Sequence, residues 1–414
     1  MPFDVTAVRA QFPALDLKDG ARPRIYLDGP AGTQVPHSVV SAVSDCFVTA
    51  NANLGGTFTT SQNAAAIVAR CRASMADMLG AKTPESIIFG ANMTALTKQL
   101  SYTIGAHLKR GDSIVLSRMD HDANISPWLD MAQREALDVH WLDLDINTYQ
   151  LKLDALETHL KAGAKFIAAG YASNVLGTVN DVSTICAMAN QYGAITYIDA
   201  VHYAPHGLID VGALGCAMLV CSAYKFYGPH CAAVYIEPEL LDRLNGWPLR
   251  PAPQHGPAKF ESGTMNHECI AGTHAALDYL KGLGAEAGTP RAQLANAFEH
   301  ITAHEQALVW QLIGGLQSIG DFKIHGITDP SSEYQRTPTV SITHDTFSPQ
   351  AILNALTQAN IFCWAGHSYA IEPLGQLGLL ETGGVLRLGI AHYNMQQEIN
   401  QVLNVLSEIC TEID

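Results

Sequence analysis

Lys225 is the residue of this sequence whose type and setting most directly suggest chemistry. It follows an apolar run at residues 217–222 and lies in the segment CSAYKFYGP, residues 221–229. Burial lowers the pKa of a lysine amine, and a neutral amine can form a Schiff base with an aldehyde cofactor. The alternative interpretation is a strand-end lysine whose charged head reaches solvent along its alkyl chain.

The second candidate, Asp199, ends another apolar run at residues 194–199. A carboxylate at a buried strand end needs a partner, and it could cap a helix or bind a metal. It could also pair with the ring nitrogen of pyridoxal phosphate, which keeps that nitrogen protonated and makes the ring an electron sink. Because Lys225 follows the next strand along the chain, the pair favours a pyridoxal-phosphate site.

Two loops offer further binding groups. Asn92, Met93 and Thr94 lie between a strand and a helix, where the helix N-terminus can bind phosphate, although any such loop looks similar. Asn174 follows the strand at 165–170 and could bind a cofactor or substrate, or form only an Asx turn. The sequence has neither a P-loop nor a G-x-G-x-x-G fingerprint, which argues against a nucleotide-dependent enzyme.

The elements that would position these residues alternate between strand and helix. Apolar, β-branched runs occur at residues 86–90, 113–117, 138–142, 165–170, 194–199, 217–222 and 232–236, and helical stretches lie between most of the first five. This pattern predicts a mostly parallel sheet covered on both faces, with ligands bound beyond the carboxyl ends of its strands.

The flanking regions have a different pattern. Before the sheet we expect helices near 4–12, at 39–50 and at 64–79, a strand at 25–27 and a loop at 51–61. After about residue 290 the pattern predicts a small α+β domain, with helices at 291–316, 349–359 and 395–410 and strands at 321–325, 337–344, 362–366 and 385–390.

The composition excludes several classes of protein. The 414 residues carry 24 basic and 39 acidic side chains, a net charge of −15, without a basic cluster, so neither a nucleic acid nor an anionic membrane is an expected partner. No stretch approaches 18 apolar residues, and the first ten residues do not resemble a secretory signal. The nine cysteines form no C-x-x-C pair, so we expect no metal site and reduced thiols in a cytoplasmic protein.

Together these segments resemble the class V aminotransferase family of pyridoxal-phosphate enzymes, and the cysteine desulfurases most of all. The resemblance extends from about residue 11 to 410 and rests on residues 26–28, 121–128, 173–178, 199–202, 222–229 and 260–264. It implies an α/β protein of fold type I, with a seven-stranded, mostly parallel sheet in a large domain and a small α+β C-terminal domain, working as a homodimer. The implied divisions are an N-terminal segment at 1–25 that packs with the small domain, a large cofactor-binding domain at 26–288, and a small domain at 289–414.

The resemblance also implies a role for each matching residue. Lys225 would form the Schiff base and move the α-proton, and Asp199 would pair with the pyridine nitrogen. Asn174 and Arg387 would bind the substrate carboxylate, a task that suits a guanidinium, although Arg387 could instead form a surface salt bridge. The other cofactor-binding residues would be Asn92, Met93, Thr94, Asp122, Asn174, His202, Ser222 and Tyr224, with Gly263 and Thr264 reaching the cofactor phosphate of the partner subunit; Ala31 and His367 would contact the substrate.

Several departures from the family pattern stand out. Tyr369 occupies the place where desulfurases have a cysteine that accepts sulfur, and Cys363 precedes that loop in a predicted strand, as a core thiol would. Trp364 replaces a common arginine. Asp122 aligns with the histidine that stacks on the cofactor ring, and Tyr224 replaces the histidine before the lysine.

The sequence therefore predicts a pyridoxal-phosphate enzyme that acts at the α-carbon of an amino acid, as a transaminase or a lyase. The alternatives are an amino-acid epimerase or racemase, a cysteine desulfurase or selenocysteine lyase that releases sulfide or selenide, and a catalytically silent cofactor-binding regulator. Tyr369 disfavours an enzyme-bound persulfide. The neutral, aromatic character of residues 53–58, Trp364 and 367–369, which would line the pocket, indicates an uncharged or weakly polar substrate side chain.

Overall fold

A mixed sheet of seven strands dominates the computed structural model, which describes residues 3–284, 288–333 and 335–411. One strand runs antiparallel to both of its neighbours, and the other six are parallel to one another. The order across the sheet is Ile87–Gly90, Ala232–Ile236, Met218–Ser222, Ile195–Asp199, Ala164–Gly170, Ser113–Ser117 and Asp138–Leu142. All seven predicted strands are confirmed, each to within one residue at either end.

The two faces of this sheet are buried in two separate apolar clusters. Within the strand Ser113–Ser117, Ile114 and Leu116 belong to one cluster, and Val115 belongs to the other. Because successive side chains of a strand point to opposite faces, a strand covered on both sides must be apolar throughout. This requirement explains the continuous apolar runs of the sequence.

Helices cover both faces of the sheet, and local chemistry sets their ends. The side chain of Asp181 accepts a hydrogen bond from the Thr184 N–H at 3.0 Å to begin one helix, and Gly193 ends it at φ +68°, a conformation that favours glycine. The helices of this part of the chain are Val5–Arg9, His37–Thr49, Thr59–Leu79, Met93–Gly105, Ser126–Glu135, Leu156–Lys161, Val182–Tyr192, Val211–Leu214, Pro238–Arg243 and His267–Leu283. The predicted loop at 51–61 is therefore too long by three residues, since a helix begins at Thr59.

A second, antiparallel sheet of four strands lies in the C-terminal part of the chain. Its order is Phe322–His325, Thr339–His344, Val385–Gly389 and Trp364–Gly366. The helices around it are Pro290–Ile319, Pro349–Gln358, Ile371–Gln376 and Gln396–Thr411. The predicted strand at 362–366 is wrong as a single element, because Ile361–Phe362 and Trp364–Gly366 pair with different partners and Cys363 lies between them. The helix Ile371–Gln376 was not predicted.

The N-terminal part of the chain contacts the C-terminal part directly. The short strand Ile25–Tyr26 pairs in parallel with Ile361–Phe362. Two further strand pairs are small hairpins, Lys18–Asp19 with Arg22–Pro23 and Leu144–Asp145 with Gln150–Leu151. Among the described residues, no helix is both long and apolar enough to cross a membrane.

One long helix serves both cores of the molecule. Pro290–Ile319 contributes Leu294 and Phe298 to the cluster on the large sheet, and Leu308 and Leu312 to the cluster around the small sheet. The division into residues 1–25, 26–288 and 289–414 stays a prediction. Residues 285–287, beside the predicted boundary, and residues 412–414 lie outside the described part of the chain.

Candidate active site

A cavity of about 480 Å³ lies beyond the carboxyl ends of the parallel strands. Most of the sequence-predicted site residues line it: Ala31, Asn92, Met93, Thr94, Asn174, Asp199, His202, Ser222, Tyr224, Lys225, His367 and Arg387. The fold therefore brings together residues that are separated by more than 350 positions in the sequence. Asp122, Gly263 and Thr264 do not line this cavity.

Lys225 ends a single helical turn, Ala223–Lys225, that directly follows the strand Met218–Ser222. The residue is only 8 % exposed, and its Nζ donates a hydrogen bond to the Pro30 carbonyl and lies 4.6 Å from the centre of the Tyr224 ring. Burial, with a smaller contribution from nearby Arg387, lowers the pKa of the amine from 10.5 to about 7. A substantial fraction of Lys225 is thus an uncharged, nucleophilic amine near neutral pH.

Asp199 lies at the end of the neighbouring strand, as predicted. Its Oδ1 accepts a hydrogen bond from the Val201 N–H at 2.9 Å, and its other oxygen has no partner within the described part of the chain. Burial raises the pKa of this carboxyl to about 6, against the opposing effects of that hydrogen bond and of Lys225. The free oxygen can therefore accept a hydrogen bond from a protonated ring nitrogen.

A second buried carboxyl, Asp120, also lines the cavity and was not predicted. It accepts hydrogen bonds from the Gly170 N–H at 2.8 Å and from the Asn124 side chain at 2.6 Å. Burial, with a smaller contribution from the nearby Asp199, raises its pKa to about 7. Since both oxygens of Asp120 are already occupied by hydrogen bonds, we assign it a structural role beside Asp199.

One end of the cavity offers hydrogen-bond donors for an anion. Asn92 caps the helix Met93–Gly105 by accepting from the Ala95 N–H at 2.8 Å, so the first N–H groups of that helix face the cavity end. Thr94 and Ser222 add hydroxyl groups that have no hydrogen-bond partner among the described residues. This donor set suits a phosphate group.

Another part of the cavity is built around Arg387, on the strand Val385–Gly389. The side chain is 5 % exposed, and its Nη1 donates to the Asn174 carbonyl at 2.9 Å. Its other N–H groups have no acceptor within the residues that the structure describes. Burial lowers the pKa of the guanidinium to about 10, which still leaves it charged at neutral pH. A buried, charged fork with free donors suits a carboxylate.

Asn174 faces both the cavity and the loop at residues 366–370. Its Nδ2 donates to the Ser368 carbonyl at 2.9 Å, and its buried Oδ1 has no partner among the residues that the structure describes. A buried acceptor without a donor is costly, so this oxygen indicates a ligand or a water that the protein atoms do not supply.

His202 lines the cavity but is anchored on its far side. Its Nε2 lies 3.1 Å from the hydroxyls of both Thr337 and Thr339. Burial holds the pKa of the imidazole well below its usual value, so the ring is neutral. Because Nε2 faces these hydroxyls, the predicted contact between His202 and the cofactor would have to come from the rest of the ring.

The prediction that Asp122 faces the cofactor is not supported, because its neighbour His121 takes that place. His121 lines the cavity, while the Asp122 carboxylate accepts a hydrogen bond from the Ser126 hydroxyl at 2.5 Å. The chain makes a tight turn at Asp122–Asn124, with His121 as its cap, so only one of the two side chains can point inward. The family resemblance thus pointed to Asp122, one residue away from the side chain that lines the cavity.

Neither cysteine chemistry nor a metal is suggested by the surroundings of the cavity. Of the described residues, no cysteine lines it, and Cys363 is buried beside it with its thiol pKa raised to about 12 by burial. Outside the cavity, Asp321, His344 and Cys410 place possible ligand atoms within 4.8 Å of one another. However, the His344 Nδ1 accepts two backbone N–H groups, which puts its proton on the Nε2 that faces Cys410 and disfavours a metal.

These groups fit pyridoxal 5′-phosphate. Lys225 would bind its aldehyde, the free oxygen of Asp199 its ring nitrogen, and the helix N-terminus with Ser222 its phosphate. The open donors and acceptors described above are of the kinds that the polar groups of that cofactor require. The structure thus supports the cofactor that the sequence predicts.

Comparison with known proteins gives the same assignment. A family model of class-V aminotransferases matches residues 25–402. The aminotransferase-like protein FGM3 of Gibberella zeae is 30 % identical over 419 residues, 98 % of each chain, and a cysteine desulfurase of Synechococcus elongatus is 30 % identical over 430 residues, covering 99 % of this chain and 64 % of that protein. The apo structure of a cysteine desulfurase from Thermococcus onnurineus NA1 matches with a TM-score of 0.88 at 25 % identity, over 98 % of both chains.

Enzymes of this family act on amino acids and are typically dimeric. The family match, the relatives and the cavity agree on both the fold and the cofactor. The chain belongs to the class-V aminotransferase family, and it is a pyridoxal-phosphate enzyme of the cysteine desulfurase-like kind.

Proposed function

We propose that this enzyme acts at the α-carbon of an amino acid, as a transaminase or a lyase, without passing sulfur through a cysteine of its own. One observation carries the proposal: Lys225, Asp199 and Arg387 line a single cavity, and no cysteine among the described residues does. A bound cofactor supplies the electron sink that stabilises negative charge at the α-carbon.

The residues in these two parts of the cavity would hold the reacting molecules. Arg387 would bind the substrate carboxylate with its free N–H groups, and the second N–H of the Asn174 amide could join it. Asp199 would keep a proton on the ring nitrogen. The phosphate would lie at the N-terminus of Met93–Gly105, near Thr94 and Ser222. These contacts fix the substrate so that its α-hydrogen faces Lys225.

Lys225 would move the proton. Its lowered pKa of about 7 means that the amine can take a proton from the α-carbon and give it back near neutral pH. Where the proton returns decides between transamination, elimination and epimerisation.

Tyr369 and Cys363 support the exclusion of an enzyme-bound persulfide. The thiolate is the nucleophilic form of cysteine, and burial raises the pKa of Cys363 to about 12, so almost none is present at neutral pH. The residue in the predicted sulfur-accepting place, Tyr369, cannot form a persulfide. A cysteine desulfurase is the second candidate, because the Synechococcus elongatus relative and the Thermococcus onnurineus structure carry that name.

The homodimer contacts and the location form part of the same proposal. Gly263 and Thr264 do not line the cavity of their own subunit, and the Thr264 hydroxyl lies 3.5 Å from the Asn53 side chain. We propose that both residues approach the phosphate site of the partner subunit, and that the enzyme works in the cytoplasm.

The test compares the cofactor-loaded wild type with Cys363→Ser. Both are mixed with a panel of amino acids that includes L-cysteine, and products and protein-bound persulfide are measured. We expect turnover of at least one amino acid, equal rates for the two proteins, and no persulfide on either. A persulfide on Cys363 that disappears in Cys363→Ser would establish the desulfurase alternative instead.

A further inference from the structure

The loop at residues 366–370 has an unusual backbone. Ser368 and Tyr369 are consecutive non-glycine residues in the left-handed region, with φ of +49° and +57°. Such a conformation is uncommon for residues with a Cβ and persists only where the surroundings enforce it. Strain of this kind, beside an active site, points to a function for the side chain that it presents.

Hydrogen bonds from three directions hold this loop. The Asp122 N–H donates to the Tyr369 carbonyl at 2.8 Å, the Asn174 amide donates to the Ser368 carbonyl at 2.9 Å, and the Tyr369 N–H donates to the His367 Nδ1 at 3.0 Å. Two of these donors, on Asp122 and Asn174, lie in segments that follow strands of the large sheet. The position of Tyr369 is therefore fixed relative to the catalytic groups.

The strained backbone places the Tyr369 ring parallel to that of His121. Their centres are 5.2 Å apart and their planes differ by 18°. Both residues line the cavity, and Tyr369 keeps 64 % of its surface exposed. Burial lowers the pKa of His121 to about 4, so this aromatic wall carries no charge near neutral pH.

The charges of the cavity limit the substrate further. Among the described residues of this chain, the lysine and arginine side chains that line it are Lys225 and Arg387. The proposed function commits the first to the cofactor and the second to the α-carboxylate. The wall from Trp364 to Tyr369 contains no lysine or arginine, and the His367 Nδ1 already accepts the Tyr369 N–H. A second carboxylate would therefore lose its hydration there without gaining an ammonium or guanidinium partner.

We propose that the substrate is a neutral amino acid with a flat apolar side chain, and that Tyr369 selects it by packing the exposed face of its ring against that side chain. The inference rests on the proposed function and names the substrate class of the same site. A flat ring gains more from an aromatic wall than a saturated ring of equal size does, which gives a preference of up to about tenfold.

The test uses two matched substrate pairs and compares kcat/KM within each. L-phenylalanine and L-cyclohexylalanine differ in the flatness of the ring, and L-glutamine and L-glutamate differ in charge. We expect the wild type to prefer phenylalanine by about five- to tenfold. We also expect it to prefer glutamine by at least about tenfold.

Variants assign the preference to Tyr369. Tyr369→Phe should keep the preference for phenylalanine, and Tyr369→Leu should reduce it to about one. Tyr369→Gly should do the same while relieving the left-handed backbone, so a folding defect of the leucine variant leaves the test intact. Tyr102→Leu, at an exposed tyrosine outside the cavity, is the control and should leave the preference unchanged.

Three results would overturn parts of the account, and they can be told apart. An unchanged phenylalanine preference in both Tyr369→Leu and Tyr369→Gly would exclude Tyr369 as the selecting residue. A wild type that prefers glutamate over glutamine would refute the neutral substrate and leave the proposed function in place. Failure to convert any amino acid would refute the proposed function, and this inference with it.

Discussion

Two regions of this molecule each bury a lysine, and the comparison shows what distinguishes a catalytic amine from a structural one. Lys225 is 8 % exposed and Lys259 is 5 % exposed. Each amine lies over a neighbouring aromatic ring, at 4.6 Å from the centre of Tyr224 and 5.6 Å from that of Phe260. Burial lowers the pKa of both. Burial and an aromatic neighbour therefore do not identify the catalytic residue.

The difference lies in what the two amines face. The Nζ of Lys259 donates to the Leu241 carbonyl at 2.5 Å and to the Asp242 carbonyl at 3.4 Å, and so satisfies acceptors in the last turn of the helix Pro238–Arg243. Lys225 has the Pro30 carbonyl as its acceptor and otherwise faces a cavity that contains Asp199. An amine that borders a cavity, near a carboxylate with a free oxygen, can react with a ligand. An amine whose hydrogen-bond donors are taken by backbone carbonyls stabilises the fold instead.

The largest expected effect separates the two lysines by activity. Lys225→Ala should lower kcat/KM by at least about 1,000-fold, because it removes the group that moves the α-proton. Lys259→Ala should stay within about threefold of the wild type, because it does not touch the cavity. Steady-state kinetics with any converted amino acid measures both, and comparable losses in the two variants would contradict the distinction.

The next effect concerns Arg387, a third buried cation. Apart from the Nη1 that donates to the Asn174 carbonyl, its N–H groups have no acceptor among the described residues, as expected of a binding residue. Arg387→Met should raise KM by about 100-fold, because the substrate carboxylate loses two charge-assisted hydrogen bonds. Arg336 is the matched control: it is buried too, but it donates to the Ile327, Thr337 and Thr339 carbonyls. Arg336→Met should reduce stability and leave the KM of the remaining folded enzyme unchanged. A normal KM in Arg387→Met would place the carboxylate elsewhere.

The smallest expected effect is on the free energy of unfolding of the cofactor-free protein. Replacing the two lysines should change it in opposite directions. The pKa of Lys225 is about 7 in the folded chain and 10.5 in the unfolded chain. Between these two pH values the unfolded chain binds more protons, so the free energy of unfolding rises with pH. Lys225→Met should therefore raise the free energy of unfolding near pH 7 by on the order of 2 kcal/mol, and the gain should shrink towards pH 10.

Lys259→Met should instead lower the free energy of unfolding by about 1 to 3 kcal/mol, because two carbonyls lose their donor. Chemical denaturation of the cofactor-free proteins at several pH values measures both changes. If Lys225→Met lost as much stability as Lys259→Met, both amines would stabilise the fold in the same way.

The sequence predicts the large sheet and most of the site because both rest on local patterns. Strands buried on both faces require continuous apolar runs, and the chemical residues follow those runs directly. The sequence does not separate His121 from Asp122, since the geometry of one tight turn decides which side chain enters the cavity. Asp120 was missed because its partner, the Gly170 N–H, lies 50 positions further along the chain.

The sequence also does not predict the long-range contacts that distinguish the two lysines. The burial of Lys259 was not predicted, because the carbonyls that accept its hydrogen bonds belong to a helix about 18 positions earlier in the chain. The split at Cys363 has a similar cause, since Ile361–Phe362 pairs with Ile25–Tyr26 from the other end of the chain. Pairings of that range depend on the assembled fold and not on the pattern of neighbouring residues.

The most direct test of the central claim is to reduce the cofactor-loaded wild type with borohydride, digest it, and locate the pyridoxyl phosphate mass on its peptides. We expect the mass on Lys225, and none on Lys225→Ala treated in the same way. Attachment to Lys259 or to any other lysine of the wild type would contradict that claim.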